Sequence, residues 1–401
     1  MYSVIHRLAR MRSRKKLNVV FVIHFRPYWP TLEPIYKAML NSENFNPIVI
    51  AVSDEGRDLD PILTLDDVKV VRSDIDNLSE FLSSRGIKHL NWNHYVKKFE
   101  NDGIKSLQSI QPDILFRQTH YEHSMPPEFK VSNLVNVKIC YLPYEFDIAE
   151  VPHVNVEQEL FQKAWKIFAP SSAHEIYYKT KNNKLNLEMN FHPKLEVIAE
   201  NSEMRGENLG RKRVLWAPHH SVSDDWLRFG TFHQIYRDFC NFVMNNSHID
   251  FVLRGHHLLF DYVIKYEKLT TLELEEFLST WEALPNAFFD RNPDYADSFA
   301  ESDILFTDGI SFLAEYQVTK KPLVFLEREG HEALTRVGEH FVEGTYSCSS
   351  LSSALEMLES FSQGSLESKY GRRVGKADEL LSANRNSAQQ ICETILRDFY
   401  N

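Results

Sequence analysis

Three polar loops in the second half of the chain hold the residues with the greatest chemical capacity. WAPHHSVSDD (Trp216–Asp225) carries His219 and His220 directly after an apolar run, and LRGHHLL (Leu253–Leu259) carries Arg254, His256 and His257. TDGIS carries Thr307, Asp308 and Ser311, with Glu315 one helical turn beyond. An imidazole titrates near neutrality, and beside a guanidinium it forms a cationic, hydrogen-bonding cup for a diphosphate. Ser311, in the first turn of a helix, is placed to donate to the same phosphate. Each residue also has a plainer reading. The histidines can be ordinary loop residues, or four ligands of a zinc ion, although no HExxH-type spacing supports a metal. Asp308 can be the N-cap of a helix beginning at Ile310. Glu315 is either within reach of ribose hydroxyls or a solvated, helix-paired glutamate.

These loops need strands to carry them. SDILFTDGISFLAEYQVTKKPLVFL (Ser302–Leu326) reads as an apolar strand, a small-residue turn, a helix over Ile310–Val318 and a second strand over Leu323–Leu326. Arg213–Trp216 and Ile249–Leu253 are likewise short apolar runs of the kind a doubly buried parallel strand requires. The first half repeats the pattern, with strands at Asn18–Ile23, Ile48–Val52, Val68–Val71, Asp113–Phe116 and Lys138–Leu142 separated by helical patterns. Glu157–Phe168 reads as a helix running into a strand, Lys179–Asn190 is polar and weakly patterned, and Leu351–Tyr400 is mostly helical. The fold class is therefore α/β, with two doubly wound parallel sheets in series and a junction between Ser171 and Arg213. In parallel sheets all loops that follow strands rise from one edge, so the three polar loops can converge on a single cleft.

Composition narrows the function. The 401 residues suffice for two cores, and 43% hydrophobic with 25% charged residues is ordinary for a folded globular chain. A net charge of −11 excludes a general nucleic-acid binder. Residues 1–16 hold six basic and no acidic residues, so the remainder carries −11 − 6 = −17. Tyr2, Ile5, Leu8 and Ala9 lie at helical spacing within that leader, which makes it either an amphipathic helix for an anionic membrane face or a frayed terminus. Cys140, Cys240, Cys348 and Cys392 form no CxxC pair, and no stretch of about 18 apolar residues occurs, which points to a reducing cytoplasm with at most peripheral membrane contact.

The same motifs, in order, carry a resemblance. Trp216–Ser221, Thr231 with Phe232, Arg254 with His256, then Thr307, Asp308, Ser311, Lys321 and Pro322 resemble the pattern of the CDP-glycerol glycerophosphotransferases of teichoic acid and capsule synthesis. PDILFRQTHYEHSMPPEF and ICYLPYEFDI resemble first-half segments of one branch of that family. Membership implies a GT-B architecture, two Rossmann-like domains facing a cleft. It implies residues 17–190 as the acceptor domain, 191–375 as the nucleotide-donor domain and 376–401 as a closing helix. It also implies inverting transfer of a polyol phosphate from a CDP-activated donor, with CMP released and no cofactor required. Arg254 and His256 would then bind or protonate the diphosphate, and Thr307, Asp308 and Ser311 would cradle it. Two departures stand out. The family's WHG histidine, its expected base, is replaced here by YLPYEFD, which leaves Tyr144, Glu145, Asp147, His219 and His220 as candidates; and TDYSS becomes TDGIS, which bears on the donor. The expected partners are a nucleotide-activated donor and a surface-polymer or lipid-linked acceptor. The rival readings are a GT-B glycosyltransferase using a nucleotide sugar, and a non-catalytic polymer-binding or assembly protein.

Overall fold

The computed structural model describes residues 16–53, 75–151, 158–189, 192–206, 210–290, 294–366 and 370–400. The basic leader through residue 15 and the expected strand Val68–Val71 lie outside these residues. The first sheet contains β1 (Leu17–Ile23), β2 (Phe45–Ala51), β3 (His89–Asn91), β4 (Ile114–Arg117), β5 (Lys138–Tyr141), β6 (Lys166–Ala169) and β7 (Leu187–Met189), in the order 3-2-1-4-5-6-7. The second contains β8 (Arg213–Ala217), β9 (Asp250–Leu253), β10 (Ala287–Phe289), β11 (Ile304–Thr307), β12 (Leu323–Leu326) and β13 (Tyr346–Cys348), in the order 10-9-8-11-12-13. Every pairing is parallel. Both sheets reverse strand order beside their first strand, so each has a switch point, at β1/β4 and at β8/β11, where crevices open at the carboxyl edge.

Burial explains the strands. All seven residues of β1 and all four of β11 are buried, as a sheet covered on both faces demands. The Phe232–Asn245 helix buries Phe232, Ile235, Tyr236, Phe239, Cys240, Phe242 and Val243, a stripe at helical spacing. Its Phe239 ring lies 4.4 Å from Trp216, which in turn lies 5.5 Å from Trp281. β7 arises in the polar stretch before Asn190, an edge strand whose composition conceals it.

The two halves are held together by backbone and packing. Apolar residues of the first sheet form one core with Leu215, Ala217, Leu305, Leu323 and Phe325 of the second. The Ser387–Phe399 helix returns to the first sheet, where Asp398 and Glu188 both bind the buried Lys166 ammonium. Near the cleft, Glu150 N donates to Ala333 O at 2.8 Å, and Thr335 donates through its N to Ile148 O at 2.9 Å and through Oγ1 to Asp147 O at 2.6 Å. Gly338 closes this clasp, because a Cβ there would stand 2.2 Å from Ile148 O. Gly338→Ala should therefore lower stability by about 1–3 kcal/mol. Gly375→Ala, in an open position of the Tyr370–Asn384 helix, should raise it by about 0.5–1 kcal/mol. Urea midpoints of the two variants check both signs.

Candidate functional site

The site is assembled at the β8/β11 switch point by one buried carboxylate. Asp308 is 2% exposed, and its oxygens accept from His219 N at 2.6 Å, from Thr231 Oγ1 at 2.7 Å and from Thr231 N. It does not cap the helix that follows; it joins the loop after β11 to the loop after β8 and to the start of the Phe232–Asn245 helix. Thr307 Oγ1 donates to Ala217 O at 2.6 Å and accepts from Gly309 N at 2.9 Å, so this hydroxyl builds the turn. The loop after β9 is drawn into the same place by Arg254 N to Trp216 O at 2.8 Å and His256 N to Pro218 O at 3.0 Å.

The result is a histidine cluster. His220 stacks on His256 with centroids 3.8 Å apart, His219 lies 4.3 Å from His220, and a ring nitrogen from each of the three falls within 4.8 Å of the others. The hydrogen-bond network assigns two tautomers. Ser221 Oγ accepts from Phe229 N at 3.0 Å and from Gly230 N at 3.3 Å, leaving its own hydrogen for His219 Nδ1 at 2.7 Å. Leu258 N donates to His256 Nδ1 at 3.2 Å. In both neutral rings Nδ1 is thus an acceptor and Nε2 carries the proton. Burial holds His219 neutral, with its pKa lowered to about 3. A metal would need a lone pair where these rings hold N–H groups, so the set fits an anion better than a cation.

The remaining predicted residues divide. Ser311 is half-buried beside the turn and does not cap the helix it precedes. The expected helix over Ile310–Val318 is broken into one α-turn, Phe312–Glu315, and a 3-10 segment, Tyr316–Thr319, so side chains rather than a helix dipole must meet an anion. Arg254 pairs with Asp290 at 2.6 Å, and that carboxylate also accepts from Ser298. Glu315 is buried, bonded to Lys194 Nζ at 2.9 Å and to the Tyr295 hydroxyl, which engages the carboxylate expected to reach a ribose.

Glu145 stands in the other domain, on the loop that follows β5. It is half-buried, and burial, reinforced by the charge of Asp147, raises its pKa to about 8. His120 Nδ1 lies 3.6 Å from its Oε1, and burial keeps that imidazole neutral with a pKa of about 3. Asp147 accepts from the Tyr178 hydroxyl and is raised by burial to about 7. Lys194 links the two domains, donating to Tyr144 O at 3.0 Å as well as to Glu315. Across the cleft, the Phe25 and His257 rings approach to 4.8 Å. Lys194 and Tyr295 went unread in the sequence, since neither lies in a polar loop at a strand end; only their burial and partners expose them.

No protein-family model matches the chain, and no curated protein matches it in sequence. Solved structures do resemble it. The UDP complex of S. aureus MnaA is 12% identical, covers 96% of this chain and 97% of its own, and superposes with a TM-score of 0.60. The UDP-GlcNAc 2-epimerase of Neisseria meningitidis bound to UDP-GlcNAc is 14% identical over 96% and 100%, at 0.59. The wall teichoic acid polymerase TagF is 12% identical over 99% and 95%, at 0.58.

The buried groups set a pH profile of stability. His120, His174 and His219, lowered to about 3, and His233, lowered to about 4, take up protons only in the unfolded chain as pH falls below about 6.5, so their contribution is full above that value and lost toward pH 3. Asp308, Asp147 and Glu145, raised to about 6, 7 and 8, work in the opposite sense: their contribution is full below about pH 4 and lost as pH rises through those values. The urea midpoint should therefore peak near about pH 6.5. Asp147→Asn, which still accepts from Tyr178, should flatten the alkaline side. From the same parallel two-domain architecture and its likeness to these structures, the chain has the GT-B fold.

Proposed function

We propose that the chain is a GT-B transferase that moves a polyol phosphate, glycerol or ribitol phosphate, from a CDP-activated donor to a hydroxyl of a growing surface polymer, releasing CMP. The observation that carries the reading is the pair of Nε2–H imidazoles, His219 and His256, brought together at the switch point beside Asp308. Uncharged donors fixed in a buried site stabilise charge that develops on a departing phosphate without reorganising. In the reaction the acceptor oxygen forms a bond to the β-phosphorus, the bond to the bridging oxygen breaks, and CMP leaves with that electron pair. The acceptor proton passes to Glu145, whose raised pKa suits a general base near neutrality. No step in this scheme uses a cofactor. The resemblance of the sequence motifs and the likeness to TagF support the donor class.

A second reading has its own support, since the structural neighbours include enzymes crystallised with UDP and UDP-GlcNAc. Thermal shifts separate the two: CMP and CDP stabilising more than UDP and GDP favour the first, the reverse order the second. The direct assay is CMP release from CDP-glycerol or CDP-ribitol with an acceptor polymer; absence of release with every CDP-polyol would remove the proposal. Activity should rise as pH increases through about 8, where Glu145 loses its proton. Glu145→Gln should abolish that limb and lower kcat by about 100- to 10,000-fold. Residues 1–16 would hold the enzyme at the inner membrane face, so their deletion should reduce sedimentation with anionic liposomes.

A further inference from the structure

We propose that Trp226 is a stacking platform for a neutral sugar unit of the acceptor, an assignment that rests on the transferase reading above. Of the six tryptophans in the chain, Trp226 alone is exposed, at 41%. Its indole adjoins the histidine cluster, tilted 51° against the His220 ring with centroids 5.6 Å apart, and His256 lies beyond at 3.8 Å from His220. An apolar ring this size is usually buried, and here it is displayed at the lip of the candidate site.

The loop that presents it is held rigidly at a cost. Leu227 and Arg228 both have φ of 57°, a left-handed conformation that side-chain-bearing residues avoid, and two occur in succession. They persist because Leu227 is buried, Glu332 N donates to Leu227 O at 3.0 Å, and Arg228 faces Glu332 at 3.7 Å. Beneath them Arg328 Nη1 reaches the carbonyls of Ser221, Ser223 and Gly230 at 3.4 Å and of Val222 at 3.3 Å. These contacts hold the backbone on both sides of Trp226.

The surroundings select the class of ligand. Asp224 and Asp225 immediately precede Trp226 and are exposed. Asp224 is neutralised by Lys268 and Arg328, each at 2.6 Å, and Asp225 lies next to the indole in the chain. With two cations held against Asp224 the rim beside the ring is charge-balanced, and its carboxylate oxygens accept hydrogen bonds from hydroxyls. An indole face packs against the C–H groups of a pyranose ring while its N–H donates. A neutral glycosyl unit, with C–H groups on one ring face and hydroxyls at its edge, satisfies both.

The test uses the full chain and two neutral probes, maltotetraose and chitotetraose, observed by saturation-transfer NMR without donor. Transfer to at least one sugar is expected. Trp226→Ala should reduce it about fivefold to tenfold, and Trp226→Phe should retain most of it. The thermal shifts given by CMP and UDP should be unchanged in Trp226→Ala. No transfer to either sugar from the intact chain, or equal transfer from Trp226→Ala, overturns the assignment. Loss of the nucleotide shifts in Trp226→Ala also overturns it, by making the indole a base platform. Failure of the transferase reading would be seen separately, as absent CMP release alongside intact sugar binding.

Discussion

The candidate site depends on the carboxylate of Asp308 more than on any other group. Buried and bonded to His219 and Thr231, it makes one body of three segments that the chain separates by up to 89 residues. Its environment raises its pKa to about 6, because burial outweighs the hydrogen bonds that favour the charged form. Removing the carboxylate would leave several buried donors without an acceptor, which costs far more than the loss of one exposed contact. The two ends of the loop after β8, at His219 and at Thr231, are joined through this one anchor.

The two sheets divide the chemistry. The second domain holds the histidine cluster, and the first holds Glu145, a carboxyl whose proton affinity is raised by burial. Between them runs a polar chain from Glu145's neighbour Tyr144, through Lys194, to Glu315 and Tyr295, with Arg254 positioned over the Tyr295 ring. Aromatic rings take a parallel route from Tyr144 to Tyr28, Phe25 and His257. These links, together with the clasp around Gly338 and Ile148, join the two domains.

The strands were legible because a doubly buried parallel strand has to be a short apolar run, and Asp303–Phe306 anticipates β11 to within one residue. The convergence of three loops was legible for the same reason, since parallel strands send their following loops to one edge. Partner choice was not. Asp308 looks like a helix cap in sequence because the residues it binds lie far away, at His219 and Thr231. Glu315 is spaced to face Ser311, yet it turns to Lys194 on a different helix. Arg254 is a guanidinium beside two histidines, but Asp290 takes it first. Trp226 has no periodic signature as an exposed tryptophan in a polar loop; only the structure shows it beside the His220 ring and before a left-handed pair.

The central claim is that His219 and His256 present Nε2–H donors to a phosphate. The most direct measurement is the ¹⁵N spectrum of the imidazoles in histidine-labelled protein, recorded with and without CDP. The account predicts that both rings are neutral with Nδ1 unprotonated and Nε2 protonated, and that CDP perturbs their Nε2 signals more than those of His94 and His123. Nδ1-protonated rings at these two positions, or Nε2 signals unmoved by saturating CDP and UDP alike, would contradict it.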